Sequence, residues 1–215
     1  MLKHVLLAGI VCVSALGAYA KGGIEGGLNV STTIGLDGAG SDGFKTGLRF
    51  GAFLEPSLSK SVSLQTGLYF TRLGFRANQS SLSYTHIAEV VQVDYLQLPL
   101  TFVYSPRLAG TAGRLTFGMG PYVSIAVGGK NKTKVAGARN TLLKYSFGNE
   151  PGDQFHRLDI GVDVLKAGYV FDFGLFVRAG WQMSVRNIIP QTSRFSETMH
   201  NGTLMFTVGY VFGGR

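Results

Sequence analysis

Leu175-Phe176-Val177-Arg178-Ala179-Gly180-Trp181-Gln182-Met183 is the stretch that decides the fold. In an extended chain Leu175, Val177, Ala179, Trp181 and Met183 share one face, and Gly174, Phe176, Arg178, Gly180 and Gln182 share the other. A helix with one buried side would place its apolar residues three and four apart. The period of two predicts a strand whose faces meet different surroundings.

The same period recurs on both sides. Leu204, Phe206, Val208, Tyr210 and Phe212 oppose Thr203, Met205, Thr207 and Gly209. Leu158, Ile160, Val162 and Val164 oppose Asp159, Gly161 and Asp163, and the phase blurs over 166–171. Leu115, Phe117, Met119, Val123, Ile125 and Val127 oppose Thr116, Gly118, Gly120, Tyr122, Ser124 and Ala126. Leu96, Leu98, Leu100, Phe102 and Tyr104 mark a further strand. Earlier come Val62, Leu64, Leu68 and Phe70; Leu48, Phe50, Ala52 and Leu54; and Ile24, Leu28, Val30 and Ile34. This makes about eight segments of about ten residues, the length of a tilted membrane strand.

Alternation alone also fits a soluble barrel, so the polar face decides. It is mostly Gly, Ser, Thr, Asn, Gln and Tyr, with scattered charges. Small polar side chains suit the narrow interior of an eight-stranded barrel. Only 15 % of the 215 residues are charged while 45 % are apolar, against about 25 % charged in soluble domains. Such a chain is short of charge to cover itself in water. The 31 glycines are about twice the usual share, as tight turns and close packing require. Phe70, Tyr104 and Tyr210 lie near strand ends, where an interfacial girdle belongs. After residue 20 no apolar run is long enough for a spanning helix, so a membrane protein of this sequence must be a closed barrel.

Residues 1–20 read as a secretory signal peptide. Lys3 and His4 precede an apolar run over 5–16, and Ala18-Tyr19-Ala20 is an A-x-A cleavage site. Acylation of Cys12 is the alternative, opposed by the preceding Val11. Cys12 is the only cysteine, so residues 21–215 carry no disulfide or thiolate site. Removing Lys3 takes Lys/Arg from 20 to 19 against 12 Asp/Glu, a formal +7. In an exported chain the partner this implies is anionic outer-membrane lipid and lipopolysaccharide rather than nucleic acid. Connections 35–45, 74–88, 128–157 and 186–201 are long; 56–60 and 170–173 are short, and 105–113 is intermediate. Long outer loops and short periplasmic turns fit an outer-membrane barrel with both termini in the periplasm. No second domain, repeat or low-complexity tract stands out.

Tyr95-Leu96-Gln97-Leu98-Pro99-Leu100 puts a proline inside a strand, where it removes a ladder donor, and predicts a local bulge. The segment resembles the Y-L-[EQ]-[IL]-P-L signature of the PorT-like outer-membrane β-barrel family of Gram-negative bacteria. Gly118-Met119-Gly120-Pro121-Tyr122 resembles that family's G-x-G-P-Y, and Asp159-Ile160-Gly161 its D-x-G. Arg186-Asn187-Ile188 sits where the family has G-L-x-N-I, with Ser184-Val185 in place of Gly-Leu. The resemblance spans nearly all of 21–215. It implies an outer-membrane barrel of this size, and its namesake's association with protein secretion.

Several residues are candidates for chemistry. Glu25, Arg49, Glu55, Asp159, Asp163 and Arg178 are expected in the lumen, either as a polar pathway or, the favoured reading, as paired charges that plug it. His86, His156 and His200 are expected in outer loops, without metal-site spacing. No His is followed two residues later by Ser or Thr, so no activated nucleophile is expected on a strand face. Lys130, Lys132, Lys134, Arg139 and Lys144 outnumber Glu150 and Asp153 in the third outer loop, where they would grip lipopolysaccharide phosphates or stay solvated.

The sequence thus predicts an all-β, eight-stranded, antiparallel, up-and-down transmembrane β-barrel. No catalytic, metal or cofactor site is expected. The expected role is structural, adhesive or surface-interacting. The alternatives are a secretion-system accessory and an outer-membrane lipid-modifying enzyme. Expected partners are outer-membrane lipid and lipopolysaccharide, the barrel assembly machinery, and a secretion-system or surface protein.

Overall fold

The computed structural model describes residues 20–35, 43–80, 86–107, 110–135, 141–148, 153–189 and 199–213. Its strands are β1 (Ala20–Gly35), β2 (Gly43–Pro56), β3 (Val62–Ser80), β4 (His86–Tyr104), β5 (Gly113–Val135), β6 (Thr141–Lys144), β7 (Leu158–Phe171), β8 (Leu175–Ser184) and β9 (Met199–Phe212). All strand pairs are antiparallel, in the order β4-β3-β2-β1-β9-β8-β7-β5, and β4–β5 pairing closes the ring. The barrel therefore has eight strands, and β6 folds back against the end of β5 outside the ring. The predicted fold is the observed one.

The faces also follow the predicted phase. Leu98, Val123, Val177, Val208 and Phe206 point outward and are 40–58 % exposed. Thr101, Ser124, Gln97 and Gln182 point inward and are at most 2 % exposed. A continuous outward apolar belt on all eight strands exceeds what a soluble surface leaves uncovered, and hydrocarbon is the medium that removes its cost. Phe50 stacks on Phe70 at 5.1 Å, and Tyr210 packs on Phe212 at 5.3 Å within this belt.

Closure also explains several glycines. Large aromatics fill the lumen, and several of them have a glycine opposite. A Cβ at Gly161 would overlap the Tyr122 ring, and one at Gly209 the Phe176 ring. Gly174, with φ +97°, makes the tight β7–β8 turn, and its amide donates to Phe171 O at 2.9 Å.

Four expectations need correction. Pro99 itself carries no bulge: β4 keeps one register with β3 throughout and with β5 from Tyr95 to Tyr104, and the ladder to β3 simply lapses opposite Gly67 and Leu68. The Thr66 hydroxyl donates to Pro99 O at 3.0 Å there. Register shifts fall elsewhere: in β2–β3 between Phe44 and Arg49, in β4–β5 between Asp94 and Tyr95, and in β7 between Asp163 and Leu165. Val164 becomes the extra residue, Leu165 takes the outward place at 49 % exposure, and Lys166 turns inward. This is the physical source of the blurred phase over 166–171.

The connections 74–88 and 128–157 are also not wholly loops. β3 runs on to Ser80, β4 begins at His86, and β5 continues to Val135. Beyond the apolar belt the outer face meets water, so the outward apolar residues by which these strands are recognised stop, and in β4 the apolar side chains Val91 and Val93 turn inward instead. For the same reason His86 and His200 lie on strands, and of the three histidines His156 alone lies in a connection.

Candidate functional site

The barrel has two unlike ends. The terminal end holds both termini of the barrel and the turns around 57–61, 105–112 and 172–174; the loop end holds the longer connections. Between them, every one of the predicted lumen charges faces inward, and they form paired networks.

Arg178 occupies the centre of the first network. Its Nη1 donates to Glu25 Oε2 at 3.3 Å and to Gln65 Oε1 at 3.4 Å, and its Nη2 lies 3.8 Å from Glu55 Oε2. Its guanidinium stacks on Phe176 at 4.1 Å. The Ser63 hydroxyl donates to Glu55 at 2.9 Å, and the Tyr69 hydroxyl to Glu25 at 3.3 Å. Arg49 lies over the Tyr69 ring at 4.2 Å, donating to Thr71 Oγ1 at 2.8 Å and to Gln97 Oε1.

A second network surrounds Asp163, which pairs with Lys166 at 2.6 Å and accepts from Gln182 at 2.9 Å and Thr101 at 3.2 Å. Asp159 accepts from Ser184 at 3.0 Å, Asn201 at 3.4 Å and Tyr122 at 3.5 Å. The sequence reading missed Lys166, because the bulge moves it one residue out of phase.

Apolar layers cap this polar column at both ends. Toward the terminal end lie Phe53, Tyr69, Val170, Phe176 and Val211. At the loop end Leu73, Val91, Val93, Tyr95, Phe155, Ile188 and Ile189 pack together. Asn187 holds that lid in place, its Oδ1 accepting from the amides of Ile189 at 3.1 Å and Met199 at 3.0 Å. Between the caps a lumen cavity of about 10 Å³, beside Thr101, Lys166 and Arg178, has room for about one water. This arrangement can fix register and exclude solutes. It is a plug rather than a pathway.

The histidines do not converge. His156 is half-buried in the connection to β7, where burial and nearby Arg186 push it below the ordinary histidine range. Among the described residues no three His, Asp, Glu or Cys side chains stand close enough to hold a metal.

The basic residues of the third connection form an outer ribbon. On β5, Lys130 pairs across with Lys144 of β6 on one side and Gln92 of β4 on the other, and Lys132 lies two residues on. Arg72 and Arg76 continue the ribbon on β3 through Asp94 and Val90. Arg72 makes a two-pronged pair with Asp94 at 2.7 and 3.1 Å and lies over the lipid-belt ring of Phe70 at 5.8 Å. The ribbon begins where the apolar belt stops. Lys134 lies on β5, but Arg139 and Glu150 fall outside the described residues, and Asp153 bonds locally to Ser146 at 2.6 Å.

A closed ring with an apolar exterior and a polar, filled interior defines an outer-membrane β-barrel. The chain matches the family described as outer membrane protein beta-barrel domain over residues 18–196, and it belongs to that family. Its place is accordingly the bacterial outer membrane. No curated protein sequence matches the chain. Among solved structures it is similar to Ail of Yersinia pestis in complex with the heparin analogue sucrose octasulfate, at 17 % identity and TM-score 0.43, covering 90 % of this chain and 99 % of that one. It is also similar to Neisserial surface protein A, at 9 % identity and TM-score 0.45, over 89 % and 97 % of the two chains. OprG of Pseudomonas aeruginosa matches at 14 % identity and TM-score 0.42, over 90 % and 96 %.

Proposed function

We propose that the protein is a non-enzymatic surface barrel of the PorT-like type that holds lipopolysaccharide against its outer wall through phosphate contacts. In this reading residues 1–20 are removed, both termini face the periplasm, and the loop end stands at the cell surface. The barrel assembly machinery inserts it by its last strand.

The observation that carries the reading is the position of the ribbon. Arg72, Arg76, Lys130, Lys132 and Lys144 lie on adjacent strands directly beyond the apolar belt, with Asp94 the one acidic residue among the described members of this face. In this reading that is the depth of the lipid A phosphates. Guanidinium and ammonium donors suit phosphate oxygens. The sealed column supports a role on the surface rather than through the lumen.

The test is binding of lipid A to the purified barrel in detergent. Each cation near an anionic surface contributes about 1 kcal/mol, so Lys130→Gln/Lys132→Gln/Lys144→Gln should weaken binding roughly a hundredfold. Dephosphorylated lipid A should bind the parent at least as weakly as lipid A binds the variant, which keeps Arg72 and Arg76. Unchanged binding in the variant would defeat the reading. A deletion strain that loses a secreted cargo would favour the secretion-accessory alternative instead.

A further inference from the structure

The terminal end carries a feature that neither the plug nor the ribbon uses. A cavity of about 420 Å³ opens there, walled by Lys21, Lys60, Arg107 and Arg114 with Asp172, and floored by Val170 and Val211 of the apolar layer. We propose that this vestibule binds a polyvalent oxyanion, bearing two or more carboxylate or phosphate groups, delivered from the aqueous compartment at that end.

The charge balance is the first argument. Four cations face one carboxylate, and that carboxylate is a weak partner: Arg107 and Asp172 stand 3.8 Å apart with their side chains 78 % and 59 % exposed. Glu55, the cross-strand neighbour of Lys21, is committed below, to Ser63 and Arg178. The Nε of Arg114 is buried and has no hydrogen-bond partner among the described residues. A buried guanidinium donor left without an acceptor is costly, and a shift of the side chain toward an oxyanion in the vestibule would relieve it.

Direction of access is the second argument. Lys21 pairs with inward-facing Glu55, and Arg114 with inward-facing Val170. Lys60 and Arg107 come from turns at the rim. Lys21 and Arg114 therefore face the barrel interior with Lys60 and Arg107 at its rim, so a ligand enters from the end of the barrel and not sideways from the bilayer. The floor stops it from passing into the lumen. Size is the third argument. The volume falls in the range of small-molecule sites and is far larger than a single phosphate needs. A concave wall of one charge also concentrates counter-ions. Cleavage after Ala20 would add the α-ammonium of Lys21 to the same rim.

Two sources share this chemistry: the clustered carboxylates of a peptide, such as those of a cell-wall stem or an acidic protein tail, and the phosphates of a soluble metabolite. Calorimetric titration of the purified barrel in neutral detergent at low salt, with triglutamate in one arm and tripolyphosphate in the other, separates them. At least one probe should bind, and salt should weaken it. Lys60→Gln/Arg107→Gln, which changes two rim residues, should weaken that binding at least tenfold while heat-modifiable gel mobility stays normal. Arg114→Gln should do the same, and if it fails to fold the rim pair decides alone. The probe that binds identifies the source. Failure of both probes, or binding by the rim variant equal to the parent's, overturns the proposal. The readout in detergent is independent of which compartment the terminal end faces, so it stands or falls separately from the orientation proposed above.

Discussion

Arg178→Met would strike the centre of the lumen plug. The guanidinium sits 3.3 Å from Glu25 and 3.8 Å from Glu55, and all three side chains are at most 8 % exposed. Removing it leaves two carboxylates away from water, held by the hydroxyls of Tyr69 and Ser63, with Arg49 and Lys166 as the more distant cations. Breaking a buried pair from one side costs about 3–5 kcal/mol, because the orphaned charge must be neutralised or solvated. Arg178→Met/Glu25→Gln/Glu55→Gln removes charge from every corner and should recover all but about 1 kcal/mol, the scale of a neutral hydrogen bond. Urea unfolding from lipid vesicles reads these differences. Trp181, the only tryptophan and 44 % exposed on the outward face, reports loss of the lipid environment by its emission. A single variant within 1 kcal/mol of the parent at pH 8, or a triple variant no better than the single, would refute the paired-plug account.

Facing predicts that Val177→Arg and Leu98→Arg, both outward in the belt, each destabilise the barrel by about 2–4 kcal/mol in the same titration if they sit at the midplane; a cost under half of that would show a misplaced belt. His156 lies below the ordinary histidine range, so the unfolded chain binds its proton first and stability is lost as pH falls below about 6.5 and flat above it; hydrogen exchange in the lid formed by Phe155 and Ile188 should quicken over that window, and His156→Gln should flatten it. Tyr210 and Phe212 follow Gly209 on the outward face of β9; Tyr210→Ala/Phe212→Ala should give little folded protein in cells yet near-normal refolding in detergent, and normal accumulation in the outer membrane would remove the assembly role.

Much of this barrel is legible in its sequence because lipid imposes a rule on every second residue. Where lipid touches the wall, as from Leu175 to Met183, apolar periodicity and exposure agree residue by residue. Beyond the belt water replaces lipid on the outer face while the apolar lid fills the inner one, so the outward apolar rule ends and the far halves of β3 and β4 turn Leu73, Val91 and Val93 inward instead. The lumen charges were found by phase alone, but their partners were not. Arg178 meets Glu25 across 153 residues of sequence, a pairing set by closure. Pro99 misled because a ladder can skip a donor without changing register, whereas the bulge at Val164 has no proline or glycine to announce it. The vestibule is assembled from three turns and four strand ends, and no local motif brings Lys21, Lys60, Arg107 and Arg114 together.

The account rests most on a barrel whose loop end faces the cell exterior and whose terminal end faces the periplasm. Single cysteines at the two ends test this directly, since residues 21–215 contain none. Lys144 lies exposed at the loop end and Ala112 exposed at the terminal end. With a membrane-impermeant maleimide, Lys144→Cys should label in intact cells, and Ala112→Cys only after the outer membrane is permeabilised. Labelling of Ala112→Cys in intact cells, with Lys144→Cys protected, would contradict the account.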